Sequence, residues 1–216
     1  MPLYWRRMRV LLAIFALLFL ATSLATPTMG AGWFWDAGNG LGFAAFAGLL
    51  YLMLTSNPRI NLREHQSLGY GVFLITVLHA FWFILGDAAV AEFMKLGAPD
   101  YMWHGIISVL LLGILITVAL TPDRFRLYKD YTGFKYWHRV IAIITIGTAT
   151  YHIAASNFYL GTWYQVVLFV LLTIAVVFGR TNLFTLRQMD ILATGAYLCV
   201  AIVFAVVFTV IRNMPA

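Results

Sequence analysis

The sequence predicts an all-α integral membrane protein, a helical bundle of six to seven transmembrane helices, and three observations carry that expectation. Of 216 residues, 62% are hydrophobic and 10% charged, with mean hydropathy +0.88, too little polar surface to cover a water-soluble domain. Uncharged stretches run over residues 10–35, 37–58, 66–86, 101–122, 140–179 and 191–211. A spanning helix needs about 20 apolar residues, so these stretches take up nearly the whole chain. The third observation is charge placement. With the N-terminus on the cytoplasmic side, twelve of fourteen basic residues fall on that side: Arg6, Arg7, Arg9, Arg59, Arg63, Arg124, Arg126, Lys129, Lys135, Arg139, Arg180 and Arg187. Lys95 and Arg212 fall opposite, the bias expected of a multi-pass protein in a bacterial inner (plasma) membrane. The net charge of +6 is thereby assigned to topology, and no nucleic-acid partner is expected.

The first helix is expected over about 8–26. Its basic start, apolar run and Ser23-Leu24-Ala25 ending also fit a secretory signal, and it is read as a retained helix. A core of further spans covers about 37–180. The stretch 140–179 has twice the spanning length and breaks at Ser156-Asn157 and Gly161, so it is divided into two spans, seven in all. An extra C-terminal helix is expected over about 190–212, and the whole of 1–216 is read as a single transmembrane domain. Trp33, Trp35, Trp103 and Trp163 lie near one set of span ends and Trp5 and Trp137 near the other, as interfacial belts require. Cys199 lies inside an apolar stretch and is read as a buried thiol, with no disulfide framework possible.

The chemistry lies in the histidines. His65 and His79 fall in the third span and His138 and His152 in the fifth, each pair fourteen residues apart. Fourteen residues make nearly four turns, which leaves the second imidazole about 40° from the first and roughly 21 Å along the axis. Both spans run in the same direction, so His65 comes level with His138 and His79 with His152. Facing imidazoles can occupy the two axial positions of a haem iron set between the third and fifth helices, and two stacked haem b groups would then join the two membrane faces. Taken singly, His65 and His138 could equally be interfacial residues. For His79 and His152, the cost of an ionisable group inside the membrane favours function over a hydrogen-bonded packing role.

Neighbouring residues fit this geometry. Asn61 and Glu64 have the spacing of a capping arrangement that starts the third helix just before His65. Gly69, Gly71 and Gly147 would let a flat ring approach, or would serve helix packing. Arg63, Lys135 and Arg139 flank His65 and His138 and could pair with haem propionates, although topology alone also accounts for them. His104 has no partner fourteen residues away. At the outer end of the fourth span, it either bonds a propionate or lines the outer exit site, or is simply interfacial.

The residues His65, Leu68-Gly69-Tyr70, His79, Tyr136-Trp137-His138-Arg139 and His152 resemble the ferric reductase-like transmembrane domain family, which includes ferric reductases, NADPH oxidases and the membrane subunit of the methionine sulfoxide reductase system. The likeness covers the third to fifth spans, and the other helices only by hydropathy. It implies that His65 and His138 ligate an inner haem and His79 and His152 an outer one. It also implies that electrons enter from a flavin, FAD or FMN, on the cytoplasmic side and leave to an outer acceptor. This sequence lacks the C-terminal flavin and nicotinamide domain of the large oxidases and reductases. The expected donor is therefore a cytoplasmic flavoprotein reductase or a quinol, and the expected acceptor periplasmic or extracellular. Rival readings are a histidine-based metal or proton transporter, disfavoured because none of the eight acids falls within an uncharged stretch, and a structural membrane subunit. A retinal protein is excluded by the absence of lysine from the last span.

Overall fold

The computed structural model describes residues 3–23, 32–54, 62–122, 130–179 and 193–214, with backbone alone for residues 3–7, 23, 89, 91, 93 and 179. Among them are seven α-helices: α1 (Leu3–Ser23), α2 (Gly32–Leu54), α3 (Leu62–Gly86), α4 (Asp100–Leu120), α5 (Tyr131–Ser156), α6 (Trp163–Gly179) and α7 (Thr194–Arg212). A short 3-10 helix, Ala88–Met94, links α3 to α4, and no strand occurs among the described residues. Helices α2, α3, α4, α5 and α7 are each long and apolar enough to cross a bilayer. The apolar parts of α1 (Met8–Thr22) and α6 (Trp163–Phe178) are shorter.

Local chemistry sets the helix ends. The Asp130 carboxylate accepts the Gly133 amide at 2.6 Å and caps α5, satisfying one of the donors left open at a helix start. The expected break at Ser156-Asn157 is where α5 stops: Asn157 takes a left-handed conformation with φ 56°, which a short polar side chain tolerates. Before α6, Gln165 Oε1 accepts both the amide (3.1 Å) and the hydroxyl (2.7 Å) of Thr162, a capping arrangement that starts the next helix. Glu64 lies in the first turn of α3, while its expected partner Asn61 lies outside the described residues.

Helix α2 is the centre of the bundle, packed by α7, α3, α1, α6 and α5, and Phe43 to Leu50 form an unbroken buried run along it. A helix apolar on every side belongs inside a bundle, and α2 has that composition. Small residues bring it close to α7: a side chain at Gly40 would meet the Ala205 backbone at 3.0 Å. Helix ends pair as alternating crossings require. At one end Trp82 donates to the Phe34 carbonyl (2.9 Å) and Gln165 to that of Ala21 (3.3 Å); at the other Gln66 donates to Ala119 (3.4 Å) and Thr194 to the Ser67 hydroxyl (2.8 Å). Arg9, Arg63, Lys135 and Arg139 sit at the second of these ends, here the basic end, and Arg212 at the opposite one. The other members of the basic set fall outside the described residues, apart from Arg6 and Arg7 in the backbone-only turn of α1.

Three expectations change. The second helix begins at Gly32, before the expected start of the core at about 37, so Trp33 and Trp35 belong to α2. Cys199 is exposed on the outer surface of α7, because its position on that helix faces away from α2. Asp36, which separates the first two uncharged stretches in the sequence, lies within α2 and is buried. Arg212 Nε (2.8 Å) and the Tyr159 hydroxyl (2.9 Å) donate to one of its carboxylate oxygens, and Asn213 Nδ2 (2.8 Å) to the other. The guanidinium also lies 4.6 Å above the Tyr159 ring. Burial and then the adjoining carboxylate raise the Tyr159 hydroxyl well above its ordinary range, which keeps it a donor.

Candidate haem-binding histidine ladder

The structure places all four histidines of α3 and α5 on facing sides. At the basic end, the ring centres of His65 and His138 are 6.3 Å apart with their planes inclined by 58°. Phe134, one turn before His138, lies 5.5 Å from that ring. His138 Nδ1 is buried and has no hydrogen-bond partner among the described residues. The long contacts of α5 are with α4 and those of α3 with α2, so α3 and α5 approach each other chiefly through side chains.

At the opposite end, His79 and His152 lie within electrostatic reach of each other. Each is held from behind by a different helix. His79 Nδ1 is 2.7 Å from the Gly38 carbonyl of α2, and His152 Nδ1 is 2.8 Å from the Tyr101 carbonyl of α4. A carbonyl only accepts, so both Nδ1 atoms carry the proton and both Nε2 lone pairs remain available to a ligand. Phe83 meets the His79 ring edge to face at 5.4 Å, and the Tyr101 ring centre is 6.2 Å from that of His152.

His104 lies at this end, as its place at the start of α4 requires. Its Nδ1 is 2.8 Å from the Asp100 carbonyl, its ring lies 4.3 Å from that of Tyr151, and it interacts electrostatically with His152. Arg63, Lys135 and Arg139 are exposed at the basic end. Among the described residues, no three His, Cys, Asp or Glu side chains converge as a metal-holding group.

The glycines divide by face. Gly69 lies within about 40° of His65 around α3, and a side chain there would meet nothing within 4 Å. Gly71, about 120° away, packs against Thr194, Leu198 and Tyr197 of α7. Gly147 points almost opposite His138 around α5 and lines an apolar groove of about 180 Å³ shared with α6. Only Gly69 of the three stands on the histidine side. The sequence reading missed Gly42 and Gly105, whose added Cβ atoms would lie 2.8 Å from the His79 and His152 rings respectively. Their spacing was visible, but nothing in it says which helix lies behind which imidazole.

Residues 59–149 match the family described as ferric reductase like transmembrane component, the same family the histidine pattern resembles. The matched stretch contains His65, His79 and His138 and ends before His152. No curated protein and no solved structure matches the chain.

Proposed function

We propose that this chain is a single transmembrane domain that carries electrons across the bilayer on two haem b groups, one ligated by His65 and His138 and the other by His79 and His152. The observation that carries the reading is the 6.3 Å separation of the His65 and His138 ring centres. Two imidazoles on one iron, each with a metal–nitrogen bond of about 2 Å, bring their ring centres to roughly 6 Å. Rotation about each bond leaves the interplanar angle free, so the 58° inclination fits as well. The Nδ1–carbonyl bonds of His79 and His152 fit the same role, since a ligating histidine commonly donates its second ring N–H to a backbone carbonyl. The open side of Gly69 provides room beside His65 for a flat ring.

Haem b supplies a reversible one-electron couple when bound. His65 with His138 and His79 with His152 would each hold one haem, and ligation by two imidazoles would favour outer-sphere electron transfer. Arg63, Lys135 and Arg139 supply positive charge for propionates at the basic end, and His104 a further polar group at the other. The basic end faces the cytoplasm of a bacterial cell, with the N-terminus on that side, by the segregation of Lys and Arg. The donor is then a flavoprotein holding FAD or FMN, or a quinol. The acceptor on the outer face is a partner protein, ferric iron or oxygen. The transporter reading gains no support from Asp36, because Arg212, Asn213 and Tyr159 already occupy that carboxylate.

The test is a pyridine haemochrome assay with oxidised and dithionite-reduced spectra on the chain purified in mild detergent after haem-replete expression. Two b-type haems per chain are expected. A single haem would reduce the reading to one histidine pair, and a colourless protein would overturn it in favour of a transporter or structural subunit.

A further inference from the structure

His79 and His152 are held by the same local device on two different helices. On α2 the carbonyl that accepts from His79 belongs to Gly38, and the residue whose Cβ would strike the ring is Gly42. On α4 the carbonyl that accepts from His152 belongs to Tyr101, and the residue whose Cβ would strike the ring is Gly105. The offset is four residues in both. An α-helix explains it: every Cα–Cβ bond tilts toward the N-terminus, so a side chain at i+4 leans over the carbonyl oxygen of residue i. That oxygen already accepts the i+4 amide along the helix and uses its second lone pair for the imidazole. The imidazole can reach this lone pair only if i+4 has no Cβ.

The clearances are measured in tenths of an ångström. A Cβ on Gly42 would lie 2.8 Å from His79 Cε1 and 2.9 Å from Nδ1, and one on Gly105 would lie 2.8 Å from His152 Nδ1 and 3.0 Å from Cε1. Carbon cannot approach a ring atom so closely, so an alanine at either position would push the imidazole off its carbonyl. His138 at the basic end has no such bond, since its Nδ1 is without a partner among the described residues.

We propose that Gly42 and Gly105 are positioning residues: by leaving the Gly38 and Tyr101 carbonyls open to approach, they fix His79 and His152 in the Nδ1–H tautomer and aim Nε2 of both rings as a matched ligand pair. This rests on the haem reading above. A donated Nδ1–H bond makes the ligating nitrogen more basic and favours ferric over ferrous iron, so the device also lowers the potential of the haem held at that end.

Two measurements on the full chain test it. The first needs no haem: 15N-histidine NMR of haem-free protein in detergent micelles, with His79→Gln and His152→Gln used to assign signals. His79 and His152 are expected as Nδ1–H tautomers, and Gly42→Ala and Gly105→Ala are each expected to return the affected ring to the commoner Nε2–H form. Finding both rings as Nε2–H in the unaltered chain would overturn the proposal. The second is an optical redox titration of the haem-loaded chain. Gly42→Ala and Gly105→Ala should raise the midpoint of one haem component, or remove that component, and leave the other unchanged. Gly113→Ala on α4, whose Cβ would meet only Phe73 at 3.9 Å, should change neither. Two unshifted components in both variants would overturn the positioning role while leaving the haem reading intact; an unaltered chain without haem would sink the haem reading and leave the tautomer measurement standing.

Discussion

The two ends of the histidine ladder come from the same fourteen-residue spacing and are built differently. At the basic end, His65 and His138 meet directly, and His138 Nδ1 has no partner among the described residues. At the other end, His79 and His152 are each fastened to the backbone of an outside helix, α2 or α4. Periodicity therefore decides which imidazoles face each other, and neighbouring helices decide which nitrogen each one presents. Within a bilayer there is little water to take an N–H, so a helix carbonyl becomes the natural acceptor, and reaching it requires a gap in that helix's side chains.

The largest test of this comparison removes a ligand. Replacing His79 or His152 by Ala should take the haem content from two per chain to one and abolish transmembrane transfer, as should His65→Ala or His138→Ala; pyridine haemochrome assay and reduction of an outer acceptor in vesicles report the two losses. Retention of both haems in any of these variants would break the pairing.

Asp36→Ala should act on one end alone. The Asp36–Arg212 pair is almost fully buried, with side chains 4% and 5% exposed, and lies on α2 just before Gly38. Removing one partner strands the other charge, a loss of about 3–5 kcal/mol that thermal unfolding in detergent should register. The haem of His79 and His152 should dissociate first in that variant.

In the unaltered chain the order should reverse. With no carbonyl holding His138, the basic-end haem should be displaced by free imidazole or lost to apomyoglobin about 10- to 100-fold more readily than the other. Selective assignment in the His79→Ala and His138→Ala backgrounds identifies each component, and equal lability would remove the distinction between the ends. The smallest effect belongs midway along the ladder, where Ser108 of α4 donates to the Thr145 carbonyl of α5 at 3.1 Å. Ser108→Ala should cost only about 0.6 kcal/mol, the usual worth of such a bond between membrane helices, and leave both haem components in place.

Much of this was legible in the chain. The spans α3, α4 and α5, the break after Ser156 and the facing of His65 with His138 follow from apolar length, a helix-stopping Asn and the 3.6-residue period. The glycines were harder to place. Gly69, Gly71 and Gly147 all lie on the histidine-bearing helices, yet only Gly69 shares their face, while Gly42 and Gly105 lie on helices without a ligand. Asp36 was likewise read as a boundary between stretches and is a buried anchor, because its partners Tyr159, Arg212 and Asn213 are more than 120 residues away in the chain.

By itself the sequence determined an all-helical membrane chain with two imidazole pairs on parallel helices, because composition, span length and helical period are local properties. The tertiary structure decided that α2 runs through the centre, that Asp36 is neutralised by Arg212, and that the Gly38 and Tyr101 carbonyls set the tautomers of His79 and His152. Those outcomes depend on which helix backs which, and a helix carbonyl carries no side-chain identity that a sequence could display.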